Sequence, residues 1–249
     1  RLGRAAAKTD RLQPHPLHGV KSMFARWPLR RSLLLALQVS VTGAFILVAT
    51  VDFVKEELGL SDASYAWVMA AYGLGSVAGA LLYGSGGSRR RTRLYRAAAP
   101  GMLAALLIAG RTPSAVLLAC GWILAGAGQS ILGIRGNEWL AENSAGAERP
   151  HIYAAHFSLS HAGWGVFYPL AGWLTATLGF APAALLFAGF LLLVSVPQVY
   201  EYVRFVVMHW GRPDWRHEHA HDQIDAGGRF HNHPHRHGDV VHSHPHFHP

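Results

Sequence analysis

Six apolar stretches divide this chain, at about 31–53, 63–84, 94–110, 114–134, 152–177 and 181–203. Each comes close to the ~20 residues a helix needs to cross the hydrocarbon core of a bilayer, so the pattern predicts six membrane-spanning helices. The third stretch is short and contains Pro100. Phe180 alone separates Gly179 from the Ala181-Pro182 step. Because Gly closes helices and Pro opens them, a tight turn is expected there. The second stretch carries Gly73, Gly75 and Gly79, a small-residue face that lets a neighbouring helix approach closely. A general richness of bilayer helices in Gly explains the same residues equally well. From Arg212 onward the apolar pattern stops and Pro, Gly, Asp and His take over. Such a segment cannot offset its ordering entropy by burial, and it is expected to be disordered without a ligand. Val199 to Trp210, with Tyr200, Tyr202, Phe205 and Trp210, is expected to carry the last helix to the interface as an aromatic anchor.

Composition agrees with this reading. Hydrophobic residues make up 51% of the chain and charged residues 14%, where ordinary soluble domains carry about 25% charged. A net charge of +8 would otherwise suggest a nucleic-acid binder. The basic residues lie between apolar stretches, however, so the expected partner is the lipid bilayer and not nucleic acid. Arg1, Arg4, Lys8, Arg11, Lys21, Arg26, Arg30 and Arg31 precede the first stretch, and Arg89, Arg90, Arg91, Arg93 and Arg96 follow the second. The opposite side offers Lys55, among Asp52, Glu56, Glu57 and Asp62, and Arg111. Cytoplasmic loops hold the excess of Lys and Arg, so with six spans both termini face the cytoplasm. The expected organisation is a basic cytoplasmic segment over 1–30, a six-helix unit over 31–203 and a cytoplasmic tail over 204–249. The fold class is therefore an all-α membrane protein with a disordered tail, not an enzyme, and no tightly bound cofactor is expected. Cys120, the single cysteine, leaves neither a disulfide framework nor a thiolate metal site. Residues 1–28 are basic and polar without a signal-peptide core. A chain that starts at Arg1 raises the expectation that an upstream part is missing.

The tail holds the sharpest chemistry. It reads His217-Glu-His219-Ala-His221, then His231-Asn-His233-Pro-His235-Arg-His237, then His242-Ser-His244-Pro-His246-Phe-His248. Alternating histidines lie on one side of an extended strand, and two or three such runs can fold around one ion. Neutral imidazole suits Ni, Co, Zn or Cu as divalent ions, and Glu218, Asp222 and Asp239 can add oxygen ligands. Divalent metal is thus expected as tail ligand or as substrate. An expression tag is normally contiguous histidine, whereas this tract is interrupted and degenerate.

Polar groups within the apolar stretches come next, because ionisable residues at membrane depth are costly and often functional. His161 lies about 15 Å into the fifth stretch, near the midplane, and His156 about half as deep. Five residues apart, the two sit roughly 140° apart around the helix and need not share a face. Tyr168 returns to the side of His161. Gln38 and Gln129 fall about one-third of the way in from the cytoplasm. Together His161, His156, Gln129, Gln38 and Tyr168 form the candidate transport path, with hydrogen bonding between helices as the alternative role for each. Arg135 and Glu138 stand three apart and are placed to pair on one helix face. Pro169 frees a backbone carbonyl inside the fifth span.

Two stretches carry a family resemblance. VDFVKEELGLSDASYAWVMAAYGLGSVAGALLYG, Val51 to Gly84, ends an apolar helix in an acidic loop and follows it with a Gly-rich helix. NEWLAENSAGAERPHIYAAHFSLSHAGWGVFYPLAG, Asn137 to Gly172, leads a charged loop into a helix ending in Pro-Leu-Ala-Gly. With the spacing of the six spans, the chain resembles the C-terminal half of a major facilitator superfamily transporter over about residues 28–202. The AAHFSLSHAGW stretch and the His-rich tail are similar to the nickel-resistance exporters of that superfamily. The resemblance implies six helices built as paired inverted repeats, a missing N-terminal six-helix half as partner, and residence in a bacterial inner (plasma) membrane. It also implies proton-coupled export of a divalent transition metal such as nickel. Two other functions stay open: export of small organic compounds with an incidental tail, or a membrane-anchored metal buffer or sensor. The chain departs from the superfamily in one loop, Gly84-Ser-Gly-Gly-Ser-Arg-Arg-Arg-Thr-Arg93, which lacks the acidic residue found there in the pattern G-x-L-x-D-R-x-G-R-R.

Overall fold

A computed structural model describes residues 17–111, 114–209, 230–237 and 240–247. The chain divides into two compact units, Arg1–Val203 and Arg204–Pro249. The regular structure of the first, among its described residues, is all helical. A short helix α1, His18–Ala25, leads into α2, Trp27–Asp52, whose last turn widens into a π-helical segment at Phe53–Glu57. Then follow α3 Asp62–Gly84, α4 Ser88–Ala109, α5 Ala115–Glu142, a 3-10 turn at Gly146–Glu148, α6 Arg149–Leu178 and α7 Phe180–His209. Helices α2 to α7 each overlap one of the six predicted apolar stretches, with some ends displaced. Trp27–Glu57, Asp62–Gly84, Ala115–Glu142 and Phe180–Tyr200 are each long and apolar enough to cross a membrane. Helix α4 falls short because its first turns are spent on Arg89, Arg90, Arg91, Arg93 and Arg96. Helix α6 falls short because His151, His156 and His161 interrupt its apolar run.

Local sequence explains the helix ends. The hydroxyl of Ser61 accepts a hydrogen bond from the Ser64 backbone N–H at 3.3 Å and caps α3. Gly179 takes φ +84° after α6, a left-handed conformation that glycine adopts at no steric cost. That turn lets Phe180 begin α7 at once, as the Gly-Phe-Ala-Pro spacing predicts. The freed backbone N–H of Phe180 donates to Glu57 Oε1 at 3.1 Å, so one carboxylate of the acidic loop caps the N-terminus of α7. Its neighbour Lys55 pairs with Asp62 at 2.8 Å.

The core gathers around Phe45 of α2, which is fully buried. Its ring lies 5.2 Å from Phe180, 5.2 Å from Phe187 and 6.4 Å edge-on from Trp122. The indole N–H of Trp122 donates to Thr50 Oγ1 at 3.0 Å, so this buried donor is satisfied. Helices α3 and α5 meet backbone to backbone. A Cβ at Gly75 would stand 2.2 Å from the Ile123 carbonyl oxygen, and one at Gly79 would stand 2.5 Å from that of Ala127. Gly126 of α5 fits against Tyr72 in the same way. Gly73 takes no part, since a Cβ there meets nothing within 4 Å. The small-residue face is therefore Gly75 and Gly79, with Gly73 removed from it.

In the second unit β1, Phe230–His237, pairs antiparallel with β2, Val240–Phe247. The sequence implies no regular structure here, and the hairpin corrects that expectation over these residues. The register explains how the two prolines are accommodated. Pro234 stands opposite Ser243 and Pro245 opposite Asn232. These pairs share one parity of the ladder, so one set of non-hydrogen-bonded pairs absorbs both missing N–H groups. The other parity sets His231 opposite His246, His233 opposite His244 and His235 opposite His242.

Candidate functional site

Three helices line an open cavity of about 170 Å³. Helix α2 supplies Ser32, Ala36 and Val39, α5 supplies Leu132, Gly133, Gly136 and Asn137, and α6 supplies His156, Ser160 and Trp164. From Ser32 to Val39 it follows the helices for about 10 Å. Small residues make the space: a Cβ on Gly133 meets nothing within 4 Å.

Hydrogen bonding at the end of the cavity near Ser32 fixes a tautomer. Ser32 Oγ donates its one proton to the Gly136 carbonyl at 2.8 Å. The contact between Ser32 Oγ and His156 Nε2 is 3.1 Å, so His156 must supply the proton, and Nε2 carries the hydrogen. His156 is thus half-buried in the cavity wall. His161 sits elsewhere on the same helix, exposed, as the 140° separation implies. Its Nδ1–H donates to the Phe157 carbonyl at 2.8 Å and its ring lies 3.9 Å from that of Phe157.

The other candidates fall into two places. Gln129 is 8% exposed, and its Oε1 accepts from the Tyr72 hydroxyl at 2.6 Å. Tyr168 stacks at 5.1 Å on Trp164, and Trp164 reaches the same point of α2 as Gln129. A Cβ on Gly43 would lie 2.3 Å from the Trp164 ring edge and 3.2 Å from Gln129 Nε2. Gln129, Tyr168 and the cavity are therefore joined through Trp164. Gln38 is not joined to them. It is fully buried and points to α7, where its Nε2 donates to Ser195 at 2.9 Å and Gln198 at 3.3 Å.

Two ion clusters tie the helices at the end where the cavity meets Ser32 and Asn137. Arg135 pairs with Glu138 at 3.0 Å, as its spacing predicts. Sequence reading missed what joins them. Arg91 from α4 bonds the other oxygen of Glu138, and the Tyr83 hydroxyl donates to Glu138 at 3.1 Å. Arg91 also lies 4.6 Å over the Tyr83 ring, while Arg31 and Arg135 lie 4.1 and 4.7 Å over Trp139. The loop before α4 has no acid of its own, and Arg91 takes its carboxylate from α5. In the second cluster Arg26, between α1 and α2, grips both oxygens of Glu148 at 2.7 and 2.9 Å and the Asn143 carbonyl at 3.1 Å. That hydrogen-bonded guanidinium holds the Glu148 carboxyl below its ordinary value of 4.5.

The profile of the Major Facilitator Superfamily matches residues 33–224. The chain belongs to this superfamily. Neither a curated protein nor a solved structure matches it. Superfamily members are secondary transporters and not enzymes, so the helices around the cavity belong to a membrane transporter. No group of three or more His, Cys, Asp or Glu side chains converges among the described residues. The metal-ligand candidates His217, His219, His221 and His248 lie outside the described residues. For His231, His233, His235, His237, His242, His244 and His246 the backbone pairing alone is described. Of the interfacial aromatic anchor, Tyr200 is exposed, and Trp210 lies outside the described residues.

Proposed function

We propose that this chain is the half of a secondary exporter whose solute enters from the cytoplasm through the cavity between α2, α5 and α6. The observation that carries this reading is the cavity itself, where Ala36, Gly133 and Gly136 leave room in front of Ser32, Asn137, His156 and Ser160. Lys and Arg at that end support a cytoplasmic orientation. The solute is a divalent transition metal such as nickel, and its export is coupled to inward proton movement. Support comes from the tail, whose alternating histidines suit such ions, and from His161, an imidazole exposed on α6 at membrane depth. The tail gathers metal for the cavity and remains outside the path. Gln38 serves packing of α2 on α7.

A second reading, export of a small organic compound, is favoured by the aromatic stripe Phe157, Trp164 and Tyr168 on α6. Metal efflux per folded molecule, measured in the full-length chain, tests both. Gly133→Val fills open space and should abolish efflux while the protein still accumulates. His161→Ala should lower the maximal rate at saturating metal, and tail deletion should weaken apparent affinity with transport retained at high metal. Normal efflux in Gly133→Val removes the cavity from the path. Unchanged apparent affinity without the tail selects the organic solute.

A further inference from the structure

The cavity stops at Trp164, and what lies beyond Trp164 is an incompletely bonded amide. Gln129 Nε2 is buried and has no hydrogen-bond partner, although Oε1 of the same side chain takes the Tyr72 hydroxyl. An amide has two donors, and leaving them unmet in a low-dielectric interior costs free energy unless another state satisfies them. Trp164 lines the cavity while Gln129 does not, and the edge of the Trp164 ring lies beside this amide over Gly43 of α2. At Gly43 any side chain would occupy the place of the indole edge, at 2.3 Å. Elsewhere Trp164 is half-buried, its ring neighbour is the exposed Tyr168, and it borders the cavity.

By residue rise, Trp164 lies about 18 Å beyond Ile152, Gly43 about 18 Å beyond Arg31 and Tyr72 about 15 Å beyond Asp62. All three therefore sit near the middle of a ~30 Å core. An aromatic plug, a glycine notch that seats it and an unmet amide behind it fall at one depth.

We propose that Trp164, seated on Gly43, is the gate between the cavity and a midplane hydrogen-bonding site formed by Gln129 and Tyr72. This rests on the reading of the cavity as the cytoplasmic entrance. When the indole leaves the notch, the Gln129 amide becomes reachable from the cavity, and a hydrogen-bond acceptor on the passing solute, or on its hydration shell, completes its bonding. Tyr72 orients the amide through its own bond to Oε1. Closure returns the indole to Gly43 and separates the two compartments of the path.

The gate predicts that two opposite changes act alike. Trp164→Ala removes the plug. Gly43→Ala adds a methyl where the ring edge rests and pushes the plug out, because the colliding atoms are the far end of a side chain that can rotate. Full-length protein carrying Cys120→Ser and the reporter Gln129→Cys is placed in inside-out vesicles. The reporter is then reacted with a membrane-impermeant methanethiosulfonate, with rates normalised to thiols labelled after unfolding. Both changes should raise the rate at least tenfold over the parent reporter. Gly165→Ala, whose Cβ would meet nothing within 4 Å, should leave it unchanged. An unchanged rate in Trp164→Ala overturns the gate. If that variant does not accumulate, Gly43→Ala decides by the same criterion. Failure of the cavity reading shows separately, as normal efflux in Gly133→Val. A blocked Gly133→Val with flat labelling removes the gate and leaves the cavity in place.

Discussion

Replacing Gly75 or Gly79 by alanine should destabilise the helical unit, while the same change at Gly73 should not. All three glycines lie on α3, so helix propensity changes by the same amount at each, and in the same favourable direction. They differ in what the new methyl meets. At Gly75 and Gly79 it would stand 2.2 and 2.5 Å from backbone carbonyl oxygens of α5, with further backbone atoms within 2.9 Å. Backbone cannot rotate aside as a side chain can. Reaching ordinary contact would move α3 away by about 1 Å over this seam, which loosens dispersion contacts along both helices. Overpacking of this kind costs about 1–3 kcal/mol. One displacement relieves both collisions, so the double variant should cost clearly less than the sum of the two single ones. Reversible unfolding of detergent-solubilised protein by increasing SDS measures each difference against wild type. Equal stabilities for Gly73→Ala and Gly79→Ala, or strict additivity of the two seam variants, would refute the close-packing argument. The glycines would then reflect membrane composition alone.

Three further outcomes are expected, two from the packed geometry and one from the Lys and Arg asymmetry of the sequence. Phe45→Ala should destabilise by about 3–5 kcal/mol, because the surroundings close only partly on the cavity left among Trp122, Phe180 and Phe187; less than ~1 kcal/mol in the SDS assay would contradict the aromatic core. Arg26 lowers the Glu148 pKa, so the pair contributes stability that is present above the unfolded value of about 4.5 and is lost as pH falls through the lower folded value. Glu148→Gln should therefore be less stable than wild type near neutral pH, with the difference vanishing in acid; a difference independent of pH would rule out this linkage. Impermeant thiol labelling of Ser88→Cys and Thr112→Cys in sealed vesicles should place the two on opposite sides, and labelling of both from one side would overturn the proposed topology.

The helices were legible because each is written in a long local signal. Apolar runs set α2, α3, α5 and α7 to within a few residues at most ends, and Gly179-Phe180 gave the shortest turn correctly. The ends that moved did so for reasons beyond hydrophobicity. Helix α4 starts at Ser88, six residues before the apolar run, because arginines continue a helix as well as leucines do. Helix α5 continues to Glu142, where Arg135 bonds both Glu138 and Glu142 along the helix. The small-residue face was half legible. Spacing alone cannot separate Gly73 from Gly75 and Gly79, because that depends on where α5 passes.

The candidate site was legible as a set of residue types and opaque as an arrangement. Depth along a helix is counted from its end, and α5 runs on to Glu142, so Gln129 stands about 20 Å from that end and not at the one-third depth that an apolar run ending at 134 implies. Azimuth against neighbouring helices cannot be counted, and only the packed fold shows that Gln38 bonds Ser195 and Gln198 of α7 while Gln129 and Tyr168 gather around Trp164. Trp164 went unmarked for a related reason: one more tryptophan in an apolar helix carries no signal until Gly43 is found opposite its ring. The link exists in sequence only as two residues 121 apart, on helices whose contact is a tertiary fact. The same holds for Arg91 and Glu138. The loop before α4 looks incomplete when read alone, since its arginines have no acid beside them. Once α4 packs on α5, Glu138 receives Arg91, Arg135 and the Tyr83 hydroxyl on two oxygens. A carboxylate with three charged or polar donors is a bridge between helices, and removing any one donor leaves it held by the others. Arg91 thus finds its carboxylate on a different helix, a partnership that the order of residues in the loop cannot reveal.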